Sequence, residues 1–218
     1  ASAAPARRGR CRATAPARTL GLHVAAARET FEESGLLLAT HADGSPPDAE
    51  APEVTAMRVR LADRDDPCGG EEFNAWLRER GLVLELGRLA YWARWITPTW
   101  ERRRYDTRFF LARAPEGQVA GFDDVEVTGQ LWVTPAEALE QAASGTLHMI
   151  YPTIKNLEEL AEACGGQAGV DAAFSYAASR EVQTVLPHFE RTDDGGFRVL
   201  HPGEPGYPAE RYAADLAR

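Results

Sequence analysis

Residues 28–36 read RETFEESGL, and this stretch decides how the rest of the 218-residue chain is interpreted. It closes a segment, residues 22–34, whose apolar spacing predicts a helix. At 100° per residue, Glu29, Glu32 and Glu33 fall on one face of that helix, opposite an apolar stripe. Such a face suits a divalent cation, because Mg²⁺ and Mn²⁺ prefer carboxylate oxygens. A plain solvated face is the alternative.

The same stretch matches the second half of the Nudix box, which is R-E-U-x-E-E-x-G-U with U aliphatic, at every position except the first U. Gly35 is the box glycine, and Thr30 stands at an aliphatic position. The sequence therefore resembles the Nudix hydrolase superfamily. The resemblance implies an α+β fold, which is a Nudix-type α/β/α sandwich with a mixed sheet, a helical insertion after the Nudix helix and extra C-terminal helices.

The first half of the box, G-x5-E-x7, does not match. Counting back from Arg28, its glycine and glutamate would stand at the positions of Thr14 and Leu20. Residues 1–20 carry five arginines, no acidic residue and no hydrophobic period, so we expect a disordered or mis-bounded basic segment. Either an insertion splits the box, or the first strands and the box front are missing. A transit peptide, and with it an organellar location, is the alternative to a cytoplasmic one.

Composition excludes several classes of function. With 44% hydrophobic and 26% charged residues the chain is typical of a globular protein, and its net charge of −9 argues against nonspecific nucleic-acid binding. No apolar run is long enough to predict a membrane span. The three cysteines form no CxxC pair, which argues against a zinc site and predicts reduced thiols. P-loop, dinucleotide-binding and serine-hydrolase motifs are missing.

Periodicity and turn residues predict the remaining elements. We expect residues 21–200 to form the Nudix-like domain and residues 201–218 to be a C-terminal tail. Helices are predicted at residues 53–63 and 71–80, within an insert at about 50–82, from Thr134 onward, and at 152–164 and 168–180. Strands are predicted at residues 91–97, 105–114 and 125–134, and a hairpin at 185–200 that turns at Asp194-Gly195-Gly196.

A second match lies downstream of the box. Glu126 precedes Trp132 by six residues, the spacing at which many Nudix enzymes carry a fourth ligand glutamate. The resemblance implies a metal site for Mg²⁺ or Mn²⁺ with the ligands Glu29, Glu32, Glu33 and Glu126. It also implies that Glu29 acts as the catalytic base through a bound water. On the helical wheel Arg28 lies close enough to Glu32 to orient its carboxylate. Asp123 and Asp124 are alternative donors, and Glu126 is otherwise an exposed strand residue.

The middle of the chain indicates which subfamily the sequence resembles. WITP at residues 95–98 and RRYDTRFFLA at 103–112 are similar to motifs of the acyl-coenzyme A diphosphatases and their bacterial relatives. Guanidinium groups match phosphate oxygens, so this region supplies the predicted substrate-binding residues, which are Arg94, Arg104, Asp106 and Arg108. Asp106 would hold one of the arginines in place. The alternatives are arginines that only solubilise the sheet, and tryptophans (Trp92, Trp95, Trp100) that are buried rather than stacked on adenine.

The expected function is metal-dependent hydrolysis of the P–O–P bridge in a nucleoside diphosphate linked to another moiety, first of all coenzyme A or acyl-CoA. An ADP-ribose, ADP-sugar or NADH pyrophosphatase is the second hypothesis. A non-catalytic Nudix-fold protein with an incomplete metal site is the third. The expected partner is a small nucleotide-diphosphate molecule, not a nucleic acid or a membrane, and a homodimer is left open.

Overall fold

The elements of the computed structural model fall into two compact units. Unit 1 takes the chain up to Arg88 together with Ala114–Gln130, and unit 2 takes Leu89–Arg113 and Leu131–Arg218. Within the parts that the structure describes, no helix combines the length and apolar character needed to cross a membrane. The described residues are 17–63, 65, 69–121, 129–165 and 169–216.

Unit 1 is built on one long helix and two insert helices. Its elements are α1 (Ala17–Ser34), β1 (Ala39–His41), α2 (Pro52–Ala62), α3 (Gly70–Glu79) and β2 (Leu82–Leu84). β1 and β2 pair antiparallel. Phe31, from the apolar stripe of α1, packs against Phe73 and Trp76 of α3 with ring centroids 6.2 and 6.1 Å away. These three buried rings anchor the Nudix helix to its insert.

Unit 2 holds the second half of the chain. Its strands are β3 (Leu89–Ile96), β4 (Asp106–Ala112), β5 (Thr184–Val185), β6 (His188–Arg191) and β7 (Phe197–Leu200). Its helices are α4 (Pro135–Ala143), α5 (Tyr151–Cys164), α6 (Gly169–Ser179) and α7 (Ala209–Leu216). β3 pairs antiparallel with β4 and parallel with β5, so this small sheet is mixed, and β6 pairs with β7 in a hairpin.

The register of β3 and β4 places charged and apolar side chains on opposite faces of the pair. Arg94 lies opposite Arg108, and the next pair is Trp95 with Thr107. Successive residues of a strand point to opposite faces, so the arginines and Trp95 lie on different faces of the hairpin. The Trp95 face, which includes Phe109, packs against residues of α5 and α6 in a buried cluster. The other face is therefore the one that carries charge.

The α+β class, the mixed sheet and most elements agree with the sequence-based predictions. The insert helices at 53–63 and 71–80 are each confirmed to within one residue. The helix predicted from Thr134 onward is also confirmed. Thr134 is its N-cap and forms a capping box, in which its Oγ1 accepts from Glu137 N at 3.2 Å while its own N donates to Glu137 Oε2 at 2.7 Å. The hairpin within 185–200 forms as predicted, with Gly195 at φ +85° in its turn.

Three details differ from the predictions. α1 begins at Ala17 rather than at residue 22, and α7 lies in the segment predicted to be a tail. The strand predicted at 125–134 is wrong for residues 129–134, which have no regular structure. An alternating pattern gives a strand only where a neighbouring strand satisfies its backbone groups, and no strand in the described part of the chain pairs with these residues.

Candidate functional site

The three glutamates of the Nudix helix differ strongly in exposure. Glu29 is exposed, and its Oε1 accepts a hydrogen bond from Arg28 Nη2 at 2.6 Å. Glu32 has a relative exposure of 5% and is the one buried charged side chain in the part of the chain that the structure describes. Glu33 is half-buried. The predicted carboxylate face therefore runs from solvent into the interior of unit 1.

Arg28 orients a different carboxylate from the one predicted. The helical wheel placed it near Glu32, but its hydrogen bond goes to Glu29. Both side chains are long enough to meet across successive helical positions, so the helical wheel alone does not determine the pair. Arg28 is thus placed beside the residue predicted to be the base.

The donor chemistry of α1 fits a hard divalent cation, since Glu29, Glu32 and Glu33 supply only carboxylate oxygens. Among the described residues, however, no three His, Cys, Asp or Glu side chains come together as a metal-binding group. The predicted fourth ligand Glu126 lies outside the described residues, as do Asp123 and Asp124. The described part of the chain thus provides the ligand types but not an assembled ligand group.

The C-terminal end of α1 is held by Arg58 of α2, which the sequence analysis did not single out. Arg58 Nε donates to Glu32 O at 3.0 Å, and its Nη2 donates to Glu33 O at 2.7 Å and to Gly121 O at 2.9 Å. A helix end leaves its last carbonyls without intrahelical partners. A cation there also interacts favourably with the negative end of the helix dipole. Because Gly121 precedes residues 122–128, Arg58 joins the Nudix helix to the start of the segment that carries Glu126.

The box glycine is explained by the same contact. Gly35 has φ +73°, a conformation that side chains disfavour, and a Cβ there would lie 2.9 Å from Arg58 Nη1. Its neighbour Ser34 accepts a hydrogen bond from Gly121 N at 2.8 Å. The turn that ends α1 therefore favours glycine, and a side chain at this position would also displace the Arg58 guanidinium packed against it.

A pocket of about 430 Å³ opens beside this helix end in unit 1. Its walls include Phe31, Gly35 and Arg58, together with the segment 116–119. Gln118 fixes that segment, because its amide accepts from Leu37 N at 2.8 Å and donates to Leu37 O at 3.1 Å. The pocket thus borders the end of the helix rather than the carboxylates of its side chains.

In unit 2, three of the predicted substrate-binding residues form one network. Asp106 accepts two hydrogen bonds from Arg94, at 2.9 Å each, and one from Arg108 Nη2 at 3.2 Å. Arg94 also donates from Nη1 to Thr184 Oγ1 at 3.1 Å. The Arg94 hydrogen bonds, with the charge of both arginines, hold the pKa of Asp106 below its usual range. Asp106 was predicted to hold one arginine and in fact holds two.

Arg104 does not join this network. Its Nε donates to Thr97 O at 3.0 Å, and its Nη1 lies 3.3 Å from Asp215 Oδ1 of α7. These contacts close the base of the loop between β3 and β4 and tie it to α7. The structure therefore divides the four predicted residues into a group of three and a separate loop arginine.

The hydrogen bonds that Asp106 accepts from Arg94 and Arg108 make the free energy of unfolding depend on pH. Its pKa is lowered in the folded state, so its contribution is full above the ordinary aspartate pKa near 4 and is lost as the pH falls through the lowered value. We expect Asp106→Asn to reduce the free energy of unfolding by about 1 kcal/mol at pH 7, and by less at pH 3. Urea denaturation at both pH values measures this, with the exposed Asp193→Asn as control. An equal loss at both pH values would contradict it.

Comparison with known proteins decides the family. Residues 6–160 match the sequence model of the NUDT19 Nudix domain. The chain belongs to this family. The match includes most of the arginine-rich opening segment, and it confirms the resemblance inferred from RETFEESGL and from the β3–β4 region.

Relatives of this NUDT19-type chain agree with that assignment. It is 27% identical over 198 residues to the acyl-coenzyme A diphosphatase NUDT19 of Xenopus laevis, covering 86% of this chain and 51% of that one. The Homo sapiens protein of the same name is 27% identical over 201 residues, with 86% and 51% coverage. The chain thus spans about half the length of the curated relatives it matches.

A solved structure supports the fold. The crystal structure of a NUDIX hydrolase from Alicyclobacillus acidocaldarius is similar with a TM-score of 0.60 and 29% sequence identity. The similarity covers 75% of this chain and 69% of that one. The NUDT19-type chain is therefore a Nudix hydrolase family member with a Nudix α+β fold.

Proposed function

We propose that this chain hydrolyses the P–O–P bridge of coenzyme A or an acyl-CoA. The observation that carries the proposal is the end of α1, where residues 28–34 of the RETFEESGL string form the last turns of the helix, Gly35 makes the turn that ends it, and Arg58 binds its last carbonyls. The names of the matched relatives, acyl-coenzyme A diphosphatases, support this choice of substrate at the level of the family.

The proposed cofactor is Mg²⁺ or Mn²⁺, held by Glu29, Glu32, Glu33 and Glu126. Bound there, the cation would neutralise the diphosphate and lower the pKa of a coordinated water. The chain length to Glu126 supports its inclusion. It follows Gly121 by five residues, and Gly121 N is hydrogen-bonded to the last residue of α1. Five residues can span at most roughly 17 Å, whereas Glu29 lies five residues before Ser34, about 7.5 Å along the helix axis.

The chain's own side chains would then position the reactants and move the proton. Arg28 occupies Oε1 of Glu29, which leaves Oε2 of this exposed carboxylate to accept a proton from the attacking water. Arg94 and Arg108 would bind phosphate oxygens, with Asp106 fixing both guanidinium groups. The contacts of Arg104 with Thr97 and Asp215 favour a role in holding the loop.

We also propose the layer arrangement of the fold. An α/β/α sandwich with a mixed sheet, a helical insertion after the Nudix helix and extra C-terminal helices is supported by the similarity to the solved Nudix hydrolase. The mixed β4–β3–β5 sheet, which packs on α5 and α6 through Trp95 and Phe109, is compatible with one half of such a sandwich.

A panel of diphosphates tests the proposal. CoA, lauroyl-CoA, ADP-ribose and NADH are incubated with the chain in Mg²⁺, Mn²⁺ or EDTA, and the products are identified by mass spectrometry. We expect adenosine 3′,5′-bisphosphate and a phosphopantetheine fragment from the CoA substrates, with the metal only. A preference for ADP-ribose or NADH would favour the pyrophosphatase alternative. No metal-dependent cleavage of any substrate would favour a non-catalytic Nudix-fold protein.

A further inference from the structure

A cleft of about 410 Å³ in unit 2 has no role in the chemistry proposed above. It opens between the β3–β4 loop, the start of α5 and β6, and its aromatic wall consists of Trp95, Trp100, Tyr105, Phe109, Tyr151 and Phe189. Three large side chains in it are exposed: Trp100 at 53%, Tyr105 at 61% and Ile150 at 64%. Exposed apolar surface gathered in one concave place is typical of a binding site.

The wall of the cleft is already in place. Edge-on ring contacts run from Trp100 to Phe189, with centroids 5.0 Å apart, and from Phe189 to Tyr151 at 6.2 Å. The loop that carries Trp100 is closed at its base, because Thr97 N donates to Tyr105 O at 2.9 Å and Arg104 binds Thr97 O. A ligand would therefore enter a preformed site rather than order one.

Several polar atoms of the wall are engaged with protein partners. Thr97 Oγ1 accepts from Tyr105 N at 3.0 Å, and the Tyr151 hydroxyl lies 3.0 Å from Nε2 of His201. The indole N–H of Trp95 donates to Asn156 Oδ1 at 3.2 Å. A nucleobase is specified by hydrogen bonds at its edge, whereas these groups are already used within the protein. The wall thus favours a ligand without a polar edge.

The charge of the residues that line the cleft also indicates which part of a substrate it can bind. Of the described residues that line the cleft, Glu101 is the one with a charged side chain, so the cleft disfavours phosphate. Arg94 and Arg108 lie on the opposite face of the same hairpin. In the described part of the chain β4 is at the edge of its three-stranded sheet, so no further strand of that sheet separates the arginine face from the cleft.

We propose that this cleft binds the aliphatic acyl chain of an acyl thioester. The identity of the thioester as acyl-CoA rests on the proposed function, but the affinity of the cleft for an aliphatic chain does not depend on hydrolysis. The anionic diphosphate and the apolar chain would then be recognised on the two faces of one hairpin.

Binding and kinetics on the full chain test this proposal. Dodecanoate binding is measured by isothermal titration calorimetry, and KM is compared for CoA and lauroyl-CoA. We expect dodecanoate to bind and the KM for lauroyl-CoA to be at least about tenfold lower, since each buried methylene favours binding several-fold. Trp100→Ala and Ile150→Asp should each remove most of both effects. Ile150 is the N-cap of α5 without a side-chain cap bond, so aspartate there favours the helix while placing charge in the cleft.

Matched controls lie outside the cleft. Trp132→Ala removes another exposed tryptophan, and Val170→Asp adds a carboxylate near the start of α6, so both should leave dodecanoate binding and the KM ratio unchanged. Wild-type protein that does not bind dodecanoate, or cleft variants that bind it like wild type, would overturn the proposal. A KM ratio near one in a protein that hydrolyses both substrates would also overturn it. Dodecanoate binding lost in both variants, without hydrolysis of any diphosphate, would support the cleft while rejecting the proposed function.

Discussion

Glu33→Gln is expected to lower kcat for diphosphate hydrolysis by about 10²- to 10⁴-fold, the range that positioned acid–base and charge-stabilising groups supply. Glutamine keeps the shape of the side chain but removes the charge that would hold a divalent cation. The backbone carbonyl of Glu33 still accepts from Arg58, so the end of α1 keeps its support. Chromatographic measurement of product formation at saturating Mg²⁺ checks the prediction.

A matched control separates loss of charge from loss of function. Glu79→Gln removes an exposed carboxylate of α3 and should leave kcat within about twofold, as expected of a surface change. Glu33→Gln with wild-type activity would show that this carboxylate is not a metal ligand. Equal rates at the background level for wild type and variant would favour a protein without catalysis.

Arg58→Ala is expected to reduce the free energy of unfolding by roughly 2–4 kcal/mol, because three carbonyls lose a charged hydrogen-bond donor at once. Arg58→Lys should recover only part of the loss, since an ammonium group lacks the planar fork that reaches Glu32 O, Glu33 O and Gly121 O together. Urea denaturation measures the free energies. Calorimetric titration of the same variants with Mn²⁺ should show weaker metal binding.

Arg60→Ala provides the comparison on the same helix. Arg60 makes a surface ion pair with Glu72 at 3.0 Å, and such pairs contribute at most about 1 kcal/mol. Arg58→Ala and Arg60→Ala with the same small effect would show that the end of α1 does not depend on the guanidinium. An Arg58→Ala protein that is destabilised but binds Mn²⁺ like wild type would limit the role of Arg58 to stability.

The features that the sequence predicted well are local. The helix that carries residues 28–34, the helix start at Thr134 and the hairpin that turns near Gly195 each depend on residues a few positions apart. The Nudix assignment succeeded for the same reason, since its motif is contiguous. The grouping of Arg94 with Asp106 and Arg108 followed from two adjacent strands.

The features that the sequence missed join distant positions. Arg58 reaches Glu32 across 26 residues, and Arg104 reaches Asp215 across 111, and neither pair has a spacing that a single sequence reveals. Arg28 was paired with Glu32, whereas its hydrogen bond goes to Glu29, because a helical wheel gives angles but not side-chain conformations. The aromatic cleft likewise combines side chains from the β3–β4 loop, α5 and β6, which only the folded chain brings together.

The contact between Arg58 and α1 has a consequence for how the domain can be engineered. The guanidinium that binds the last carbonyls of the Nudix helix comes from the insert. The helix and the insert therefore depend on each other structurally. Replacing residues 50–82 by a short linker would remove Arg58 together with the rings of Phe73 and Trp76 that pack on Phe31. A minimal version of this domain, or a chimera with another Nudix domain, must therefore transfer the helix and its insert as a pair.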